Sequence, residues 1–297
     1  MKATLFTAIL FILIGMFPSE LTAGEQDDPS KRRGKVKIPP HAVEIAPRIF
    51  RLETAMDKGR VVEGYAIVTQ RKGKFAKPGC NNNGICEPGE KNNCADCKSS
   101  ETDQVDSSSC FDYTRGARWK TEEDFIVNPD NVRGLDPQSI MFSLYSSIEK
   151  WELAANYNEI LGNGSLVSYR LEADLVEPDD QNEVYFADVD YPDAIAVTII
   201  WGIFRGPQSW RELVEWDQVY DDVDFDWSDD CEGYEDCSDK MDFKNIAIHE
   251  LGHSVGLNDL YDASCSEQTM YGYADFGETK KRTLEDGDVM GVWELYH

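Results

Sequence analysis

The sequence predicts an α+β domain preceded by smaller segments, and three patterns support this fold class. The run Ala194–Ile203 (AIAVTIIWGI) is apolar and β-branched, which indicates a buried strand. Asp136 and Pro137 suit the start of a helix over residues 137–156. The buried stripe of that helix recurs every three to four residues, at Ile140, Leu144, Ile148 and Trp151. Apolar residues from Phe243 onward indicate a second helix over residues 243–256.

Charge is distributed unevenly along the 297 residues, whose formal net charge is -27. Residues 24–78 carry 13 Lys and Arg against 7 Asp and Glu, whereas residues 79–297 carry 15 against 48. The overall charge argues against nucleic acid and anionic membrane surfaces as partners. The asymmetry predicts that the basic front docks on the acidic body. A solvated basic tail is the alternative.

The N-terminus has the pattern of a signal peptide over residues 1–23. Lys2 precedes an apolar run from Leu5 to Phe17, and a small-residue cleavage site lies near Ala23. The run is short for a membrane span, and no later stretch is long and apolar enough to be one. We therefore expect a secreted protein without a membrane span after signal removal, and a retained N-terminal anchor is the alternative.

Eight cysteines in an exported chain predict disulfides. Residues 79–98 hold four of them among polar residues and should form a disulfide-rich module, followed by a linker over residues 99–109. Oxygen ligands in the module could instead serve Ca²⁺, from Asn81, Asn83, Glu87, Glu90 and Asp96. We expect Cys231 to pair with Cys237, which leaves Cys110 for Cys265.

Residues 24–78 form a basic prosegment with a β-rich part. Strand-like runs lie at Val61–Val62 and at 65–69, separated by turn residues. Farther along the chain, Asn163-Gly164 predicts a turn after the first helix.

Residues 249–259 (HELGHSVGLND) contain the candidate metal ligands and the candidate general base. On a helix, His249 and His253 project from one face one turn apart, so both imidazoles can bind one metal ion. Glu250 lies beside the first ligand, where it can act as general base on a metal-activated water. Gly256 can turn the chain back and deliver Asp259 as the third ligand, with Asp262 as the alternative.

This pattern resembles the metzincin zinc metalloproteases. Thr269-Met270-Tyr271-Gly272 is similar to their methionine turn beneath the metal, and residues 283–296 are similar to the C-terminal helix of the matrix metalloprotease-like (matrixin) branch. Thr283 and Asp286 have the spacing of a capping box. Asp259 departs from the His that most of the clan has as third ligand, and in this it resembles the snapalysin-like proteases.

The resemblance implies a zincin catalytic domain over residues 110–297, with a twisted mixed sheet and helices near 137–156, 243–256 and 284–296. It implies a zinc-dependent endopeptidase that acts on protein or peptide substrates. Structural calcium is also common in such domains, and the acidic region supplies candidate ligands at Asp217, Asp222, Asp224, Asp226 and Asp229. A solvated acidic loop is the alternative.

We also expect the protein to be inactive on export, because a protease with an open metal site is usually exported with a segment that covers its cleft. The prosegment could dock on the acidic body as an inhibitor, and a basic-specific protease could cut residues 30–33 (SKRR). Cys80 could cap the zinc, although a disulfide within its module is favoured.

Two other functions stay open. One is an exported metal-binding surface or interaction protein without protease activity, against which the retention of Glu250 argues. The other is a zinc peptidase that trims chain ends. Substrate preference would depend on the loop after Asp259, which includes Tyr271 and Tyr273.

Overall fold

The computed structural model describes residues 34–72, 106–233 and 236–297. The signal peptide, the sequence SKRR at 30–33 and the four cysteines of the module lie outside these residues. The strands are β1 (Lys35–Val36), β2 (Val43–Ala46), β3 (Ile49–Asp57), β4 (Arg60–Arg71), β5 (Glu123–Val127), β6 (Leu161–Leu166), β7 (Asn182–Val189), β8 (Ala194–Ile203), β9 (Glu212–Asp221), β10 (Asp226–Ser228), β11 (Lys240–Asp242) and β12 (Tyr273–Ala274). The helices are α1 (Pro137–Ala154), α2 (Phe243–Ser254) and α3 (Asp286–Tyr296).

A mixed sheet organises the described part of the chain, in the order β2-β3-β4-β8-β9-β7-β5-β6. Strands β6, β5, β7 and β9 run parallel, whereas β8, β4, β3 and β2 join by antiparallel pairing. The largest apolar cluster includes Trp151 of α1, Phe243 of α2 and Trp216 of β9. A mixed sheet with three helices confirms the predicted α+β class.

The first helix begins as predicted. Asp136 precedes it and accepts hydrogen bonds from the backbone N–H groups of Gln138 and Ser139, at 2.9 and 3.2 Å. The predicted apolar stripe is buried. The Trp151 indole donates to the carbonyl of Ile248 at 2.9 Å, which ties α1 to α2.

The last helix begins later than the spacing of Thr283 and Asp286 predicts. Glu285 precedes α3, and its N–H donates to Asp288 Oδ2 at 2.9 Å. Asp288 also accepts from the N–H of Met270 at 3.1 Å, so its carboxylate connects two parts of the chain. The capping role therefore moves to Asp288, which also holds the backbone at Met270.

The turn predicted at Asn163-Gly164 is wrong. Both residues lie within β6, which pairs in parallel with β5. A Cβ at Gly164 would lie 2.5 Å from the Phe125 ring, so this glycine is needed for close packing. Tertiary pairing outweighs the local turn preference here.

Two disulfides confirm the expected pairing of the cysteines in the described residues. Cys231 pairs with Cys237, and Cys110 pairs with Cys265 across 155 residues of sequence. The second bond ties the start of residues 110–297 to the loop before Met270. Among the helices of the described ranges, none has both the length and the apolarity needed to cross a bilayer.

The N-terminal meander, residues 43–71 with strands β2 to β4, extends the sheet instead of standing apart from it. Strand β4 pairs antiparallel with β8 from Glu63 opposite Gly202 to Gln70 opposite Ala194. Ion pairs join the basic front to the acidic body, among them Lys58–Asp180 at 2.8 Å and Arg60–Glu212 at 3.0 Å. Each is worth little at an exposed site, but their signs agree with the charge asymmetry of the sequence.

Candidate metal centre and strand slot

Helix α2 and the turn after it bring three potential metal ligands together. The Nε2 atoms of His249 and His253 lie 3.2 and 3.5 Å from Oδ1 of Asp259. One ligand atom from each residue lies within 4.8 Å of the other two, and all three side chains are fully buried. The site could therefore hold one metal ion.

Gly256 makes this meeting of ligands sterically feasible. Its φ is +107°, a region that L side chains avoid, and a Cβ there would lie 2.6 Å from the carbonyl oxygen of Ala117. The chain thus leaves the helix after Ser254 and returns Asp259 to the histidines.

The hydrogen bonds of the histidines fix their tautomers. Nδ1 of His249 lies 2.7 Å from the carbonyl of Thr269, and Nδ1 of His253 lies 3.1 Å from the carbonyl of Leu257. A carbonyl oxygen only accepts, so each Nδ1 carries a proton, and in the neutral ring each Nε2 has the lone pair that can bind a metal. Both Nε2 atoms face the carboxylate of Asp259.

Asp259 completes a donor set of two nitrogens and one oxygen. The Tyr261 hydroxyl donates to its Oδ2 at 2.7 Å, whereas Oδ1 is buried without a hydrogen-bond partner. Burial alone would raise the pKa of Asp259, but the imidazoles of His253 and His249 hold it well below its usual range. An orphaned carboxylate oxygen beside two imidazole lone pairs fits a zinc ion.

Glu250 is fully buried next to His249 in sequence, and its two carboxylate oxygens differ in their contacts. Oε2 accepts a hydrogen bond from the Thr198 hydroxyl of β8 at 2.6 Å, whereas Oε1 has no hydrogen-bond partner. One oxygen is therefore anchored to the sheet while the other is available to a proton.

Met270, the residue of the proposed methionine turn, packs against α2 between the two histidines. A Cβ at Gly252, between the two histidines, would lie 2.1 Å from its sulfur. Two residues that the sequence did not reveal hold this turn. Lys281 is fully buried and its Nζ donates to the carbonyl of Thr269 at 3.0 Å, and Asp288 accepts from the N–H of Thr269 at 2.7 Å.

Strand β4 fills a gap beside the metal group that we term the strand slot, the space between β8 and β12. It pairs antiparallel with β8 on one side and parallel with β12 on the other, with Gln70 opposite Tyr273. The Thr69 hydroxyl lies 3.1 Å from Nε2 of His249. No motif marks Thr69 as part of the site, because only the strand pairing brings it there.

A second group of buried carboxylates lies on β9 and nearby. Asp174, Glu215 and Asp217 place one oxygen each within 4.8 Å of the others. Burial raises the pKa of all three, to about 6 for Asp174 and about 10 for Glu215, and raises that of neighbouring Glu183 to about 8. These carboxyls therefore favour either protons or a cation.

The other predicted calcium ligands do not join this group. Asp222 Oδ2 accepts from the N–H of Val132 at 2.8 Å, and Asp226 pairs with Arg133 at 2.9 Å. Within the described ranges, Asp224 and Asp229 belong to no ligand group either. Asp262, the alternative zinc ligand, instead caps a short turn by accepting from the N–H of Ser264 at 2.8 Å. Calcium remains a prediction.

The segment that contains α2, Met270 and α3 is the part of the chain with a recognisable family signature. Residues 205–297 match the family model of the matrixins. A comparison with curated proteins found no match. The matrixin match supports a metalloprotease and implies zinc, and it covers all three residues of the candidate metal group. It does not reach β4 or the rest of the N-terminal meander.

Proposed function

We propose that this protein is a secreted zinc-dependent endopeptidase, with zinc held by His249, His253 and Asp259 and with Glu250 as general base. The observation that carries the proposal is the convergence of two imidazole lone pairs and one orphaned carboxylate oxygen in a buried site. The matrixin match over the same residues supports it. The apolar N-terminal run, which lies outside the described residues, supports secretion.

The residues divide the hydrolysis among them. When bound, zinc would polarise the scissile carbonyl and acidify a water molecule. Glu250 takes a proton from the attacking water through Oε1 as the oxygen bonds to the carbonyl carbon, and it delivers that proton to the leaving amine as the C–N bond breaks. Thr198 holds Oε2 and so fixes the direction of Oε1.

A peptide substrate would bind in the strand slot. Its two walls offer backbone hydrogen bonds to an extended chain, as they now do to β4. A slot that accepts a strand by main-chain pairing favours cleavage within a polypeptide. This geometry supports the hypothesis of an endopeptidase over that of a peptidase that trims chain ends.

We further propose that the prosegment inhibits its own protease by placing β4 in this slot. Thr69 contacts a ligand nitrogen, and His249, Glu250 and His253 are fully buried while β4 is in place. A substrate strand and β4 cannot occupy the slot together. The active form therefore requires displacement of the meander.

Cleavage of denatured casein tests both proposals. Full-length protein would be assayed with zinc, before and after limited digestion by chymotrypsin that is then blocked with a serine-protease inhibitor. Glu250→Gln, treated identically, is the matched control. We expect the digested parent to cut casein, the variant to cut about 10³-fold more slowly, and both to retain zinc.

Other outcomes separate the proposals. An undigested parent that cuts as fast as the digested one would contradict self-inhibition and leave the protease in place. Zinc-loaded protein that cuts nothing in either form would favour the non-proteolytic metal-binding protein.

For calcium, we propose a structural site at Asp174, Glu215 and Asp217. Two of their buried oxygens, Asp174 Oδ2 and Glu215 Oε1, have no hydrogen-bond partner. Carboxylate oxygens are the ligands that Ca²⁺ prefers. Bound calcium would offset the mutual repulsion of these carboxylates.

A further inference from the structure

We propose that the protease prefers substrates with Arg or Lys one or two residues after the cleaved bond. The basic head is received by a pocket over the adjoining rings of Tyr261 and Tyr273, which Arg48 fills while the meander is in place. The inference rests on the proposed endopeptidase function and names a substrate class for it.

The pocket is built for a cation. The guanidinium carbon of Arg48 lies 4.5 Å from the centroid of the Tyr261 ring and 4.4 Å from that of Tyr273. Two of its nitrogens, Nε and Nη2, are buried and have no hydrogen-bond partner among the described residues. The two rings, together with Gln70 Oε1, which accepts from Arg48 Nη1 at 3.1 Å, are therefore its stabilising contacts.

The pocket adjoins the metal group. The Tyr261 hydroxyl donates to Asp259 Oδ2 at 2.7 Å, so the carboxylate lies directly behind one wall. With zinc bound, the ion offsets the charge of Asp259, so the preference for a cation comes from the ring faces, which attract a guanidinium or ammonium group more strongly than a neutral side chain. The pocket thus distinguishes charge as well as shape.

The backbone conformation of Arg48 is unfavourable, which is consistent with a side chain stabilised by its contacts with the two rings. Arg48 has φ of +60° in the turn between β2 and β3. This left-handed region is sparsely populated by residues other than glycine and asparagine. A long basic residue at such a position indicates that its side-chain contacts offset the backbone cost.

A side chain on a strand in the slot can reach the same pocket. Gln70 lies opposite Tyr273 across the pairing of β4 with β12, and its Oε1 accepts from Arg48 Nη1 at 3.1 Å. Arg and Lys are longer than Gln, so from this position their charged groups would reach the space over the two rings once Arg48 has left. Gln70 directly follows Thr69, the residue at His249, which places its position one or two residues after the bond to be cut.

Peptide cleavage tests the inference, using full-length protein activated by chymotrypsin as above. Matched peptides would carry Arg, Lys, citrulline or Met at each position around one cleaved bond. We expect kcat/KM for Arg and Lys to exceed that for citrulline, the neutral analogue of Arg, by about tenfold at the stated position. Tyr273→Leu should remove this ratio, and Tyr273→Phe, which retains the ring, should keep it.

Three results would overturn the inference. Equal cleavage of Arg and citrulline peptides would do so while leaving the protease intact, and so would a basic preference that Tyr273→Leu does not change. If zinc-loaded protein cuts no peptide at all, the proposed function fails and this inference fails with it.

Discussion

The two groups of buried ligand atoms differ in how their charges are balanced. In the first, two imidazoles meet one carboxylate, and the pKa of Asp259 stays low despite burial because charge attraction to His253 and hydrogen bonding to both histidines stabilise the carboxylate. In the second, only carboxylates meet, and burial raises the pKa of Glu215 to about 10. The first group keeps its charge without a metal, whereas the second needs protons or a cation to exist in the folded state.

The contrast extends to what each group can do. Mixed nitrogen and oxygen ligands suit zinc, and three protein ligands leave room for a substrate atom. An all-carboxylate group suits calcium and offers no base in a position to act on a peptide. We therefore propose catalysis at the first group and a stabilising role for the second.

The largest expected effect is the loss of a zinc ligand. Asp259→Ala should lower bound zinc from one ion per chain to nearly none, and casein cleavage by about 10³-fold or more. Asp217→Asn, the matched change in the acidic group, should leave zinc content unchanged. Mass spectrometry measures the bound zinc of both variants, and the casein assay measures their activity. Loss of zinc from Asp217→Asn would contradict the proposal that only the first group binds zinc.

The next effect is the pH dependence of the metal-free protein. Folded pKa values of Glu215 and Glu183 above the usual range mean that the folded state binds extra protons near neutral pH. The stabilisation from this extra proton binding is therefore fully present below about pH 4.5, and it is lost as the pH rises through about 8 for Glu183 and about 10 for Glu215. In EDTA, we expect the free energy of unfolding to fall by about 1.4 kcal/mol per pH unit for each such group.

Denaturant titrations from pH 5 to 8 measure this slope, and Glu215→Gln should reduce it. Calcium at pH 8 should restore the lost stability in the parent but not in that variant. A parent whose stability is independent of pH in EDTA, or one that calcium does not stabilise, would contradict the proposed calcium site.

The smallest effect concerns a residue that positions His249. Lys281 and His249 both donate to the Thr269 carbonyl, and burial lowers the pKa of Lys281 to about 8. Lys281→Met should weaken zinc binding about tenfold through the lost support of that carbonyl. Competition with a zinc-binding dye gives the affinity, and Lys281→Arg serves as the charge-preserving control. Unchanged affinity in Lys281→Met would limit Lys281 to a role in packing.

Local patterns predicted those parts of the molecule whose interactions are close in sequence. Helix α1 with its cap, strand β8 and the end of α2 at Gly256 all follow from adjacent residues. The gathering of His249, His253 and Asp259 also depends on one helical turn and one glycine. Asn163-Gly164 was mistaken for a turn because pairing with β5, nearly 40 residues away, decided its conformation.

The remainder of the site arises from contacts that no local pattern encodes. Thr69 meets His249 across 180 residues, and Thr198 meets Glu250 across 52. Arg48 reaches its pocket only because β2 and β3 extend the sheet past β4. The charge asymmetry predicted that the basic N-terminal segment docks on the acidic part of the chain. It did not predict which strand of that segment would pair with β8.

The pairing of β4 with β8 also affects solubility. Apart from Thr198, the ten residues of β8 are apolar, many of them are β-branched, and most are completely buried. Removal of β4 would convert β8 into an open sheet edge, which can recruit any extended chain, including another copy of itself. The meander thus protects the protein from self-association, and the working lifetime of the activated form should be shortest when substrate is scarce.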